Sequence, residues 1–373
     1  MSIFDQPLYF IAEVANAAQG LVDDSYKIIE AVATTGADAI KFQFYKYDVL
    51  AAPSYPKYNI YKKTFYTAEQ RTKFIEKAKE VGLDVWVDIF DRWGLEVAKK
   101  NLKNINAVKI PPTVILDEDL VSDIMNLKLP TAVGVGGYED SDIDFVLSGI
   151  KRFSNPILLM YGFQAFPTPI EDTSIGRIKD LKKKYSYSIG YADHVEGGTE
   201  MSYRLPEYAF FSGATVIEKH ITLDRSQKGL DYFSSLEPDE FKKFVNNMRQ
   251  CEVVYGTGQI TNVQKDYLQH ATRITINKTV KPGDLLFKKD ILFRRTDDAD
   301  YFFPNEVENI IPGVVTRQLE ADSGLTKKDI KNNARVGIIV VCRLDSKRLK
   351  NKALLKLNGI TAIERCLINC LEA

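Results

Sequence analysis

Three consecutive stretches near the start decide the fold class: PLYFIAEVA at 7–15, SYKIIEAVATTG at 25–36 and ADAIKFQFY at 37–45. The first and third are near-continuous apolar runs, the mark of strands covered on both faces, and the second carries apolar residues at helical spacing. The same alternation continues along the chain through DVWVDIF (84–90), AVKIPPT (107–113), PTAVGVG (130–136), PILLMYG (156–162), YSIGYADH (187–194) and ATVIEKHI (214–221). Between them lie amphipathic segments such as TAEQRTKFIEKAKEVG, SDIDFVLSGIKRF and PDEFKKFVNNMRQCEVVYG. Eight βα units in about 250 residues fit a closed (β/α)8 TIM barrel over residues 1–256 better than an open sheet.

Beyond the barrel the texture changes. Residues 257–273 are polar and read as a linker. Residues 274–333 carry two similar stretches, VKPGDLLFKKDI and LEADSGLTKKDI, which predict a small β-rich domain with internal pseudo-repeats. Residues 334–373 read as a buried strand, a basic loop and a final helix, too short to bury a core of their own, and so as a truncated start of a further α/β domain.

Composition excludes several classes of function. With 50 Lys+Arg against 50 Asp+Glu the formal charge is zero, so no basic field for nucleic acid or anionic lipid is expected. At 45% hydrophobic residues, and without an apolar run of the ~20 residues a span needs, no membrane segment is predicted. No secretory signal is visible in the first residues, and a cytoplasmic location is expected. The four cysteines include no CxxC pair, which speaks against a disulfide framework or a thiolate metal site.

In such a barrel the chemistry sits at the C-terminal ends of the strands. Those ends offer Glu13, Lys41, Gln43, Asp88, Asp91 and Lys109, then Asp193, His194, Glu218 and His220. Charged groups inside apolar strands are costly unless paired or bound to a ligand. His194 and His220 close adjacent strands beside acidic residues, a placement that suits a divalent ion with open positions. Two lysines facing one mouth, Lys41 and Lys109, suit an anionic ligand, whereas Asp231 follows the eighth strand in a loop and can also serve as a turn cap. The tyrosine cluster 45–66 reads as a packed long loop.

Five stretches carry a family resemblance: IAEV (11–14), GADAIKFQ (36–43), GYADH (190–194), IEKHITLD (217–224) and SLEPDEF (235–241). Over residues 7–331 the chain resembles the phosphoenolpyruvate-dependent sialic acid (N-acetylneuraminate) synthases, a family that includes pseudaminic and legionaminic acid synthases and the spore coat polysaccharide biosynthesis protein E group. The resemblance implies a transferase that condenses phosphoenolpyruvate with an aldose of the N-acetylmannosamine kind. The product is a 3-deoxy-2-ulosonic acid for surface or coat polysaccharide. It implies that residues 274–333 form an antifreeze-like (SAF) domain. His194 and His220 match the ligands of a divalent metal, manganese or magnesium, and Glu13, Gln43 and Asp231 match residues that hold the acceptor sugar. Lys41 and Lys109 match the lysines that hold phosphoenolpyruvate, and Glu218 is the acidic residue beside the metal. Glu13, Glu218 and Lys109 form the expected catalytic group. Gln164 and Phe166 stand where the family has an asparagine and a tyrosine and are assigned to substrate binding. Arg295 matches an arginine that reaches a neighbouring subunit's site, which implies a domain-swapped homodimer.

The chain departs from the pattern at Ala17-Ala18, in place of an asparagine-histidine pair, and at Pro112-Thr113-Val114, in place of serine-x-glutamate. Gly134 and Ala192 replace two further serines. Each lost hydrogen bond to a charged group is worth about 1.5–3 kcal/mol, and backbone amides at Gly134, Gly136 and Gly137 can replace some of them. Two other readings stay open: a degenerate sugar-binding or scaffold module, and a synthase for a smaller or phosphorylated sugar. The latter is suggested by Ile110-Pro111-Pro112, similar to the 3-deoxy-octulosonate phosphate synthases. Residues 335–373 resemble the start of the cytidylyltransferases that activate acidic sugars, through Arg343, Ser346, Arg348 and Lys352, with Lys350 where a proline is usual.

Overall fold

The computed structural model describes residues 3–5, 7–296, 300–333, 337, 339–342 and 347–372. It divides into two compact units, Met1–Thr257 and Gly258–Ala373. In the first, eight parallel strands pair in sequence order: β1 (Tyr9–Glu13), β2 (Ala39–Phe44), β3 (Asp84–Ile89), β4 (Ala107–Ile110), β5 (Thr131–Gly134), β6 (Ile157–Tyr161), β7 (Ser188–Asp193) and β8 (Ala214–Ile221). Pairing of β1 with β8, Glu13 opposite His220, closes the barrel. A two-residue strand, β9 (Ser235–Leu236), adds to the end of β8.

The apolar runs are continuous because each strand is buried on both faces. Along β2, Ile40, Phe42 and Phe44 face the helices, while Ala39 turns inward with Tyr9, Ile11, Trp86, Ala107, Ala132, Leu158, Met160 and Val216. Trp86 donates to Tyr9 Oη at 3.2 Å and Tyr9 donates to Asp84 at 2.8 Å, so this layer of the interior is packed solid rather than left as a pore. The helices start where the sequence supplies caps. Thr67 and Gln70 form a capping box on Ala68–Glu80, and Asp91 and Asp117 accept from the amides of Gly94 and Leu120.

The second unit has its own apolar core, built from Ile274, Ile276, Val280, Leu286, Val315, Leu319 and Leu325 among others. The stretch expected to be a plain polar linker instead contains a helix, Asn262–Tyr267, capped by Thr261 and Gln264. Next come β10 (Thr272–Ile276), β11 (Leu285–Leu286), β12 (Ile291–Arg295), β13 (Gly313–Val315) and β14 (Ile330–Asn333). β10 pairs with β12, and β13 pairs with both β11 and β14. The two similar stretches meet at a bridge between Val280 and Leu319. Their likeness is physical: Asp290 accepts from the Phe287 amide and pairs with Lys278 at 2.6 Å, and Asp329 accepts from the Thr326 amide and pairs with Arg317 at 2.5 Å.

The strand expected at the start of the C-terminal segment is not formed among the described residues. Ile339 and Val341 are about nine-tenths exposed, and none of the described strands pairs with them. Arg343 and Ser346 lie outside the described residues. Lys350 and Lys352 sit in an exposed turn before a short hairpin and the helix Ala362–Glu372.

Candidate active site

Inward-facing positions on five strands converge at the C-terminal mouth of the barrel. Lys41 Nζ lies 2.9 Å from Glu13, 3.0 Å from Asp88 and 2.6 Å from Glu218. Lys109 Nζ meets both Glu218 oxygens at 2.9 and 3.0 Å. All five side chains are buried. Burial alone would raise Glu218, but the ammonium groups of Lys109 and Lys41 outweigh it and hold the carboxyl well below the usual range. Glu13 goes the other way: burial, only partly offset by Lys41 and reinforced by Asp88 and Glu218, pushes it up to about 8. Two ammonium groups facing three carboxyls therefore balance when Glu13 keeps its proton.

Above this floor opens a cleft of about 360 Å³, lined by Glu13, Gln43, Asp88, Lys109, Gln164, Phe166, His194, Glu218, His220 and Asp231. The residues read as site candidates from the barrel sequence thus come together, with three corrections. Lys41 does not line the cleft; it is fully buried beneath it, its ammonium group held among the carboxyls of Glu13, Asp88 and Glu218. Asp193 faces away from the mouth and forms a buried pair with Lys219 at 2.6 Å, against the helix Met201–Phe211 through the Ser202 carbonyl. Asp91 caps a helix and accepts from the Lys46 amide. Arg295 belongs to the second unit, exposed on β12 opposite Thr272.

His194 and His220 stand with ring centres 5.2 Å apart, and Phe166 packs edge-on to both at 5.1 and 5.6 Å. Burial holds both imidazoles neutral, His220 falling to about 3 and His194 well below its ordinary value. The Nδ1 atom of each is buried without a hydrogen-bond partner among the described residues. Neutral imidazoles with orphaned nitrogens fit the donors of a divalent ion. No group of three His, Cys, Asp or Glu in metal-holding geometry occurs among the described residues, which leaves the two imidazoles as the side chains that would hold such an ion.

The wall holds residues that the strand-end reading did not single out: Asn16, Tyr45, Tyr55, Lys57, Tyr61 and Thr113. The tyrosine cluster is therefore more than loop packing. Tyr45 follows Gln43 by two residues, as Gln43 follows Lys41, so the strand alternation alone points it into the mouth. Pro112 and Gly134, two departures from the resemblance, are one feature: a Cβ on Gly134 would sit 2.5 Å from Pro112 Cδ.

Comparison with known proteins gives the family and the fold. Residues 28–260 match the model of the NeuB family. The chain belongs to the NeuB family. Residues 337–373 match the cytidylyltransferase model. A pseudaminic acid synthase of Campylobacter jejuni is 27% identical, the match covering 88% of this chain and 98% of the relative. An uncharacterized protein of Methanocaldococcus jannaschii is 29% identical over 78% of this chain and 85% of its own length. The fold matches the crystal structure of a spore coat polysaccharide biosynthesis protein E from Chromobacterium violaceum with a TM-score of 0.77, at 21% identity, over 87% of this chain and 99% of that one.

Proposed function

We propose that the barrel mouth condenses phosphoenolpyruvate with the open-chain aldehyde of an aldose, releasing phosphate and a 3-deoxy-2-keto sugar acid. The observation that carries the reading is the meeting of Lys109 and two neutral imidazoles in one cleft of a NeuB-family chain. Manganese or magnesium held by His194 and His220 would, when bound, polarise the aldehyde carbonyl. Lys109, aimed by both oxygens of Glu218, faces the cleft with donor capacity left for a phosphate or carboxylate oxygen. Lys41 touches no substrate and acts from below, keeping Glu218 ionised and so keeping Lys109 in place. Glu218 is accordingly a fixed anion rather than a proton carrier. Glu13, Gln43, Gln164 and Asp231 present hydrogen-bonding groups to the sugar, and Phe166 covers the imidazoles. The methylene carbon of phosphoenolpyruvate bonds to the aldehyde carbon, whose oxygen takes a proton. Water adds at the second carbon and the bond to phosphate breaks.

Phosphate release from phosphoenolpyruvate, with Mn²⁺ and N-acetylmannosamine or arabinose, tests the reaction. Turnover is expected to depend on metal and to vanish in His220→Ala. Unchanged turnover in that variant would overturn the metal assignment, and no release with any aldose would overturn the reaction.

A further inference from the structure

The loop after β1 and the loop after its neighbour β8 are tied together beside the cleft by one residue. Asn16 donates to Asp231 Oδ2 twice, from its backbone amide and from Nδ2, both at 3.2 Å. Its Oδ1 accepts from Tyr45 Oη at 3.0 Å, and Tyr45 shares a 2.8 Å hydrogen bond with buried Thr64. A carboxylate on one side and a phenol on the other leave the Asn16 amide a single orientation. Both loops are bent to reach this contact. Ala15, at φ 43°, and Asp231, at φ 61°, occupy the left-handed region that non-glycine residues seldom adopt. The loops also press together nearby, where a Cβ on Gly229 would lie 2.7 Å from Gln19 Nε2.

One consequence concerns Asp231. Its Oδ2 is occupied, no described residue donates to its Oδ1, and the side chain lines the cleft. A carboxylate clamped through one oxygen offers the other as a fixed acceptor, which suits a hydroxyl donor on a polyol. We infer that Asn16 is a positioning residue for the sugar: it orients Asp231 toward a hydroxyl of the aldose and takes no part in binding the anionic substrate. The inference rests on the reaction proposed above only for the identity of the sugar as a substrate.

Wild type, Asn16→Ala, Asn16→Asp and the swap Asn16→Asp/Asp231→Asn serve as the test. Each is titrated calorimetrically with N-acetylmannosamine and arabinose, and assayed for phosphate release. In both single variants the aldose Kd should rise about tenfold or more, with the phosphoenolpyruvate KM moving less than about twofold. Melting temperatures should stay within about 2 °C of wild type. The swap, which puts the carboxylate on residue 16 and a donating amide on residue 231, should recover part of the aldose affinity. An unchanged aldose Kd in Asn16→Asp, equal losses for both substrates, no recovery in the swap, or a wild type that binds neither aldose would each overturn the inference. A wild type that binds aldoses but releases no phosphate would sink the reaction and leave the Asn16 assignment to stand or fall on the binding data.

Discussion

Lys41 shows how far a single position can be read. Its residue type, inside an apolar strand, marks it as special, and the resemblance assigns it to an anionic substrate. Its depth in the barrel follows from tertiary structure, and depth changes its role from contact to support. Replacing Lys41 with methionine keeps the bulk and leaves three buried carboxyls facing Lys109 alone, so urea unfolding should show a loss of about 3–5 kcal/mol. Adding Asp88→Asn removes one of the ionised carboxylates beside Lys41 and should return part of that loss, a coupling that a double-mutant cycle measures. Asp193 was read as a mouth residue, although parity sets it the other way: it adjoins inward-facing His194 and points outward as Lys219 does between Glu218 and His220. Asn16 was not legible, because its role depends on a loop of β8 folding back onto a loop of β1.

Between elements, the ends of β4 and β5 carry a paired adjustment. Pro112 fills the space that a side chain at 134 would need, so Gly134→Ser alone should be destabilising by about 1–3 kcal/mol through overpacking. In a Pro112→Ser background the same change should cost much less, and a non-additive cycle in denaturant melts checks this. Equal costs in both backgrounds would show that the ring is not what excludes the side chain. The eight apolar runs made the strands legible because both faces are buried, and the amphipathic stretches gave the helices that cover them. The sequence pattern does not reveal that two departures on different strands compensate each other, since such coupling lives in the distance between elements.

At the scale of the whole molecule, two separate cores predict two calorimetric transitions. Acid should shift the second unit's transition through Asp329. Burial alone would raise this carboxyl, but Arg317 and Thr326 outweigh it and hold it below the ordinary carboxylate value. A carboxylate with a depressed folded-state pKa contributes stability that is fully present above its unfolded value, near pH 4, and is lost as the pH falls through the folded one. Asp329→Asn should flatten that acid dependence, and an unchanged acid slope would exclude Arg317–Asp329 as its source. The two-unit division was foreseeable from the change of texture after residue 256, and the β pseudo-repeat from its duplicated turns. The exposed C-terminal segment was harder to read, because an apolar run looks like a strand whether or not a sheet awaits it. The ion cage beneath the cleft has a further consequence for birth on the ribosome. Glu218 lies 109 residues beyond Lys109 and on the last barrel strand, so a nascent chain holds its buried lysines without their main counter-charge until nearly all of the barrel has been synthesised. Closure of β8 onto β1 and the arrival of Glu218 beside Lys109 therefore coincide in the order of synthesis.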